Sequence, residues 1–274
     1  MKVVDNRRER IMKIGSMGKL AEAPTLKKAG YDRMELDLRE ISELSDVQFE
    51  ERRRELLDTG LEFAVCSWIL PLNLDMTSPD FKKEDWYDHL AKGADRCSSL
   101  GVKMWPFGTG KGRSIKPGNG DEATQKARVA EFLSFIDGII SKRGITSVIE
   151  PLGPANSNYI ATLSEADEVR KSIGSGSIWL MCDLRHMVWS HDNYENIAKF
   201  GSNILHCHID YPLGDKRVFP VCGDGFDYHP YLEEVVKLDC GSLTFEAIHS
   251  ENTEENLAAA IEYLKSMLRN KRLP

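Results

Sequence analysis

Four short apolar runs in the second half of the chain each end in a side chain that can carry charge or bind a metal ion. The runs end at Glu150, Asp183, His208 and Glu246. A short, continuous apolar run is typical of a strand that is buried on both faces, as in a parallel sheet. Folds with parallel strands place their functional side chains at the carboxyl ends of those strands. The four ends therefore predict one site, where three carboxylates and an imidazole meet.

Strand-like and helix-like segments alternate along the chain, which has 274 residues. Capping pairs such as Ser45 with Gln48 and Thr162 with Glu165 mark helix starts. Eight βα units joined by right-handed crossovers predict a single (β/α)8 TIM barrel, an α/β fold, over residues 1–274. An open doubly wound sheet is the alternative, but the nucleotide-binding fingerprint that often accompanies it is absent from the sequence. The predicted strands are 11–16, 33–38, 61–67, 102–107, 145–150, 177–183, 203–209 and 242–248, and the predicted helices are 20–29, 45–58, 83–100, 122–142, 162–173, 193–199, 230–238 and 252–268.

Charge and composition exclude several classes of partner. The net charge of −7 disfavours nucleic acid or an anionic membrane as partner, and a small neutral molecule fits better. No stretch approaches the roughly 20 apolar residues of a membrane span. The segment Met1–Arg10 is charged and lacks the apolar centre of a signal peptide. The six cysteines are scattered without a CxxC motif, which is typical of reduced thiols and predicts a cytoplasmic protein.

The chemistry of the four strand ends indicates a divalent cation. Any one acidic residue at a strand end is as often a cap or a loop ion pair, but four consecutive strands ending in this way favour a shared site. Three oxygen ligands and one nitrogen suit Mn²⁺, Mg²⁺ or Co²⁺ better than a structural zinc site, which prefers sulfur and imidazole. We expect one divalent ion, with Mn²⁺ as first choice and Mg²⁺, Co²⁺ or Zn²⁺ as alternatives.

Four motifs at the strand ends are Glu150-Pro151-Leu152, Asp183-Leu184-Arg185-His186, His206-Cys207-His208 and Phe245-Glu246. In these motifs the chain is similar to xylose-isomerase-like TIM barrels. That family includes sugar epimerases of the D-tagatose/D-psicose 3-epimerase type, hydroxypyruvate isomerases, inosose dehydratases and endonuclease IV. The resemblance implies that Glu150, Asp183, His208 and Glu246 bind the metal, that His186 contacts a sugar substrate, and that the protein forms a homodimer or tetramer.

The chain departs from the family pattern in two loops. After the fifth strand, Pro154 and Asn156 stand where family epimerases often have Arg and Glu, whereas Asn158 is retained. After the seventh strand, the family's substrate-binding Arg falls at Gly214, with Lys216 and Arg217 nearby. Metal binding is therefore expected to follow the family more closely than sugar specificity does.

Further residues are predicted to contact the substrate or to support the site. Each also has a structural interpretation, such as a strand-end ion pair for Glu35, core packing for Trp68, or a satisfied loop histidine for His186. His206 is two residues from His208 on the same face of its strand and is predicted to support that ligand from behind. The predicted substrate contacts are Glu35, Trp68, Arg113, Asn158, His186, Lys216 and Arg217.

These residues predict a metal-dependent sugar isomerase or epimerase. Glu150 and Glu246 would act as the bases that move a proton next to a carbonyl, through a cis-enediolate that the metal stabilises. The alternative is a dehydratase or lyase on the same barrel, either inosose dehydratase-like or C-glycoside-cleaving. A non-catalytic sugar-binding barrel is a third class, and it would bind sugar without turnover. A three-zinc hydrolase like endonuclease IV is disfavoured, because it needs further upstream histidines.

Overall fold

The computed structural model describes residues 12–269. The expectation about the charged segment Met1–Arg10 and the predicted strand start at Ile11 lie outside this range. Among the described residues, no helix is both long and apolar enough to cross a bilayer.

Eight parallel strands form one barrel. They are hydrogen-bonded in the order β3-β2-β1-β8-β7-β6-β5-β4. The ring closes between β3 and β4 through a single bridge between Val65 and Met104, and through the Ala64 carbonyl, which accepts from the backbone N–H groups of Lys103 and Met104. The strands are β1 Lys13–Met17, β2 Arg33–Asp37, β3 Cys66–Ser67, β4 Met104–Phe107, β5 Thr146–Ile149, β6 Ile178–Asp183, β7 Ile204–Ile209 and β8 Ser242–Phe245.

Helices follow the strands and cover the outside of the barrel. The longest, α6, buries Val129, Phe132, Leu133, Ile136 and Ile140, which is the three- and four-residue spacing of a single helix face. The helices are α1 Ala23–Lys28, α2 Leu38–Glu43, α3 Asp46–Asp58, α4 Tyr87–Ser99, α5 Gly110–Arg113, α6 Glu122–Ile140, α7 Leu163–Ile173, α8 Leu184–Trp189, α9 Glu195–Phe200, α10 His229–Val235 and α11 Glu254–Arg269.

The predicted TIM barrel is confirmed, and several strands are shorter than predicted, the third most of all. The segment 61–67 is extended, with Phe63 and Val65 buried, but only Cys66 and Ser67 form a regular ladder with β2. Glu62 pairs with Arg33 and Cys66 pairs with Leu36, so the segment has one residue more than β2 between these two pairs and forms a bulge.

Three short helices were not predicted. They are α2, α5 and α8, and each starts within three residues of the end of a strand. Asp37 caps α2 and Asp183 caps α8 through their carboxylates. The last helix, predicted to begin at residue 252, begins at Glu254, because the Thr253 hydroxyl accepts from the backbone N–H of Asn256 while the Asn252 side chain donates to Glu22.

The cysteines are free thiols, as predicted. Cys66, Cys97, Cys182 and Cys207 are buried in the core, whereas Cys222 is exposed. Cys182 and Cys207 lie opposite each other on β6 and β7, with their Sγ atoms 3.4 Å apart.

Candidate active site

The four predicted metal ligands meet at the carboxyl end of the barrel. Glu150 and Glu246 directly follow β5 and β8, Asp183 ends β6, and His208 lies near the end of β7. One ligand atom from each lies within 4.8 Å of the others, and all four residues are buried. His208 Nδ1 is 3.0 Å from Glu246 Oε2, 3.6 Å from Asp183 Oδ2 and 3.7 Å from Glu150 Oε1. The barrel therefore brings three carboxylates around one imidazole nitrogen.

This donor set fits a divalent cation. Burial by itself would lower the pKa of His208, but Glu35 and Glu246 raise it well above its ordinary value. Burial raises the pKa of Glu246, although Arg217 and His208 oppose that shift. Carboxylates packed this closely out of water call for positive charge between them. Hard oxygen donors with one imidazole are the ligands that Mn²⁺ and Mg²⁺ take.

A buried hydrogen-bond network orients His208 from behind. Glu35 faces the far side of the ring, with its oxygens 3.1 and 3.2 Å from His208 Nε2, so that Nδ1 is left for the cluster. His206 Nε2 lies 2.9 Å from the same carboxylate, and His206 Nδ1 lies 3.0 Å from the Ser242 hydroxyl. Burial would raise the pKa of Glu35, but the two histidines hold it well below its usual range. Glu35 therefore orients His208, whose imidazole lies between Glu35 and the cavity, and the predicted contact of Glu35 with substrate stays a prediction.

Arg217 brings a positive charge to the floor of the site. Its Nη1 is 2.8 Å from Glu246 Oε2 and 3.1 Å from Asp183 Oδ2. Burial alone would lower the pKa of Arg217, but these carboxylates raise it far above its ordinary value. The neighbouring Lys216 is exposed and its side chain lies outside the cavity. The predicted substrate contact of Lys216 is thus not supported, because the loop turns its side chain to solvent.

The buried Arg185 holds the loop that delivers Arg217. Its Nε donates to Asp210 Oδ2 at 2.7 Å, and its Nη atoms donate to the carbonyls of Gly214, Tyr211 and Lys216. Burial and the charge of Asp183 raise the pKa of Asp210 to about 8, although Arg217 and Arg185 oppose this shift. No role was predicted for Arg185 from the sequence. The signal that could have indicated one is its charge, which stands between Asp183 and His186 in an otherwise apolar stretch.

His186 has a hydrogen-bond donor beside each of its ring nitrogens. The backbone N–H of Gly153 donates to Nδ1 at 3.1 Å. Arg217 Nη2, which can only donate, lies 2.7 Å from Nε2. Burial lowers the pKa of His186 to about 4, which keeps the ring neutral near pH 7. A neutral imidazole has one acceptor nitrogen, so it satisfies one of these two donors at a time.

Two predicted substrate residues instead hold loops together. Arg113 is fully buried, and its guanidinium donates to the carbonyls of Phe107, Glu150, Tyr159 and Ile160. The side chain of Asn158 makes paired hydrogen bonds with the backbone of Ile115, at 2.8 and 2.9 Å. The structure therefore places both side chains on backbone groups and outside the lining of the cavity.

A cavity of about 470 Å³ opens above the cluster. Trp68, predicted to contact substrate, lines it, as do His186 and Arg217. The wall residues Ile69, Leu70, Leu72, Asn73 and Leu152 were not predicted, since loop residues carry no periodic signal. Asn156 was noted only as a departure from the family pattern. The lining is Ser67, Trp68, Ile69, Leu70, Leu72, Asn73, Pro106, Gly108, Thr109, Gly110, Lys111, Glu150, Leu152, Asn156, His186, His208, Arg217 and Glu246.

Comparisons with known proteins agree with this fold. No curated protein sequence matches the chain. The chain is similar to the crystal structure of D-psicose 3-epimerase from Clostridium cellulolyticum H10, with 17% identity over 94% of this chain and 99% of that chain and a TM-score of 0.78. It is similar to L-ribulose 3-epimerase, with 18% identity over 96% of each chain and a TM-score of 0.77. A third similar structure is 3-keto-D-glucoside 4-epimerase from E. coli, with 18% identity over 93% of this chain and 99% of that chain and a TM-score of 0.76. The family model described as xylose isomerase-like TIM barrel matches residues 24–267, and the chain therefore belongs to that family.

Proposed function

We propose that this protein is a divalent-metal-dependent isomerase or epimerase that moves a proton next to the carbonyl of a sugar. The observation that carries the proposal is the buried cluster of Glu150, Asp183, His208 and Glu246, three of which line the cavity above it. Structures similar to this one are named as 3-epimerases and a 4-epimerase of sugars, which agrees with the proposal. We take Mn²⁺ as the first candidate ion.

The cluster residues would hold the ion, and the ion would supply Lewis acidity to a sugar carbonyl and an adjacent hydroxyl. Glu150 and Glu246 both line the cavity and come from β5 and β8, which are separated by two strands in the barrel. A sugar carbon between them would have one carboxylate on each face. One carboxylate removes the proton and the other returns it to the opposite face, which inverts that carbon. Return by the same carboxylate to the neighbouring carbon gives isomerisation.

His186 and Arg217 would bind the oxygen on which negative charge develops. The Arg217 guanidinium offers several N–H donors, and its Nη2 lies 2.7 Å from Nε2 of His186, which lines the same cavity. Donors that are fixed before the reaction stabilise developing charge without reorganisation. The apolar side chains around the cavity limit the access of water to the intermediate.

Deuterium incorporation tests the proposal directly. Metal-stripped protein, with and without added Mn²⁺, is incubated in D₂O with a panel of ketoses, aldoses, keto-glycosides and sugar phosphates. We expect deuterium at a carbon next to the carbonyl only when Mn²⁺ is present. Glu150→Gln and Glu246→Gln should each abolish exchange, since an amide cannot take up the proton. Glu168→Gln, an exposed position on α7, is the matched control and should exchange like the wild type.

Two results would contradict the proposal. One is exchange that proceeds equally without metal. The other is Mn²⁺ binding with no exchange in any sugar, together with loss of water or of an aglycone from one of them, which would identify a lyase.

A further inference from the structure

The cavity has a polar floor and an apolar outer wall. The floor consists of the carboxylate–imidazole cluster with His186 and Arg217. The outer wall is formed by apolar side chains from the loops after β3 and β5: Trp68, Ile69, Leu70, Leu72 and Leu152. A free hexose carries a polar group on every carbon, and each one that faces such a wall loses its hydrogen bonds to water. The outer wall is therefore suited to an apolar group.

The volume of the cavity exceeds what one sugar ring fills. It measures about 470 Å³. Since one water takes about 30 Å³ of liquid volume, a hexose that displaces roughly six waters occupies about 180 Å³. More than half of the space remains, and it is the part next to the apolar wall because the reacting carbon has to lie at the floor. That space fits a second ring.

Trp68 is held as a flat surface at the edge of this space. Its φ is +53°, a conformation that is unfavourable for an aromatic residue and that is found chiefly at functional positions. The Arg39 guanidinium stacks 4.0 Å from the indole centroid, and Asp37 holds that guanidinium at 2.6 Å. Rigid aromatic side chains bind other rings at low entropic cost. The strained backbone and the stacked arginine together hold the indole in place.

Leu72 and the environment of Arg113 argue against a phosphorylated substrate. Leu72 lines the cavity and is 63% exposed, so that an apolar group seated beside it would remove it from water. Arg113, the arginine of the loop after β4, donates to four backbone carbonyls and is not free to bind a phosphate.

We infer that the substrate is a glycoside: a keto-sugar whose anomeric carbon carries an apolar, ring-containing aglycone. This rests on the proposed function, because the sugar ring must present a carbonyl to the floor. The glycosidic bond occupies the anomeric carbon, so the carbonyl is a ketone at another ring carbon. The aglycone lies between Trp68, Leu72 and Leu152, while Lys111 and Asn156 lie at the same cavity wall and can bind hydroxyl groups on it.

The test compares two substrates that differ only in the aglycone. Methyl and phenyl 3-keto-β-D-glucopyranoside are assayed with the Mn²⁺-loaded protein for deuterium exchange. We expect kcat/KM for the phenyl glycoside to be at least tenfold higher than for the methyl glycoside or for free ketohexoses. Leu72→Ser should reduce the phenyl-to-methyl ratio at least threefold. Leu57→Ser, an exposed leucine on α3, should leave the ratio unchanged.

A binding measurement separates this inference from the proposed function. Phenyl and methyl β-D-glucopyranoside, which have no ketone, are titrated calorimetrically into the same protein. Tighter binding of the phenyl compound supports the glycoside inference, whether or not any sugar exchanges deuterium. Absence of deuterium exchange in every sugar would refute the isomerase proposal and would leave the glycoside inference standing. Equal binding and equal kcat/KM for the two aglycones, or a higher kcat/KM for a ketose phosphate, would overturn the inference.

Discussion

Replacing Gly108 by alanine should displace a metal ligand without unfolding the protein. A Cβ at this position would lie 1.9 Å from Glu150 Oε2, whereas real Cβ contacts essentially never fall under 3.0 Å. The φ of Gly108 lies outside the positive range, so the backbone itself accepts alanine. The atom that has to move is the end of a flexible side chain, and the carboxylate can swing away. Glu150 would then leave the position in which it faces His208.

The distances set the size of the effect. The carboxylate oxygen must shift by about 1 Å, and a misplacement of that size at a reacting group costs roughly 100-fold in rate. For a metal ligand we expect Mn²⁺ affinity to fall about 10- to 100-fold, which is about 1.4 to 2.7 kcal/mol. A ligand that binds only the folded state stabilises it by RT ln(1 + L/Kd), where L is the concentration of free ligand. A weaker dissociation constant at fixed Mn²⁺ therefore lowers the stabilisation by RT times the logarithm of the affinity ratio. At about 2 to 4 °C per kcal/mol for a chain near this size, the Mn²⁺-induced rise in Tm should shrink by roughly 3 to 10 °C.

The assay needs no knowledge of the substrate. Tm is measured for the metal-stripped protein and again in excess Mn²⁺, and the dissociation constant is measured by calorimetry. The control is Gly138→Ala, on the exposed side of α6, where an added Cβ meets no atom within 4 Å. That variant should gain about 0.5 to 1 kcal/mol of stability from the lower flexibility of its unfolded chain and should keep the full Mn²⁺ response.

Wild-type Mn²⁺ affinity in Gly108→Ala would refute the reasoning, because it would mean that Glu150 is not a ligand. A large loss of stability in the metal-stripped variant would show instead that the loop, and not the carboxylate, absorbs the collision.

Three further perturbations follow from the same geometry. Arg185→Met should cost about 3 kcal/mol in urea unfolding of the metal-stripped protein, since Asp210 and three loop carbonyls lose their donor; a change under 1 kcal/mol would show that the loop is held elsewhere. Glu35→Gln should weaken Mn²⁺ binding 10- to 100-fold by calorimetry, because His208 loses the carboxylate that orients it; unchanged affinity would remove Glu35 from the site. Hydrogen bonding from Cys207 lowers the pKa of Cys240 to about 7, so its alkylation by iodoacetamide should rise steeply between about pH 6 and 8 and level off above that. A rate at Cys240 that keeps rising to pH 9, as for an ordinary thiol, would contradict this.

The barrel was predictable because its signals are local and repeated. Each apolar run of β5 to β8 is buried on both faces, which produces a pattern that adjacent residues reveal without knowledge of their partners. The segment 61–67 shows the limit of such signals. Its side chains alternate as a strand requires, but the bulge in its pairing depends on the backbone of β2, an earlier part of the chain that the segment itself does not reveal.

The carboxylate–imidazole cluster was predictable for the same reason, whereas only some of the residues predicted around it line the cavity. Glu150, Asp183, His208 and Glu246 stand at ends of neighbouring strands, so topology alone places them together. The direction of a loop side chain depends on tertiary contacts. Arg113 and Asn158 have residue types that suit a sugar, yet backbone carbonyls and amides in nearby loops take up their hydrogen bonds.

The closure of the barrel gives the cavity walls of unequal stiffness. Between β6 and β7 the ladder is continuous apart from one register shift, whereas β3 meets β4 through one bridge and one shared carbonyl. The loops that follow β3 and β4 carry Trp68, Leu72 and Lys111, and they stand directly above this weakest seam. Local opening of a protein begins where hydrogen bonds are fewest. An opening of this seam would therefore leave the spacing of the carboxylate–imidazole cluster unchanged, because the cluster stands on the opposite side of the barrel, where the ladders run from β5 to β8.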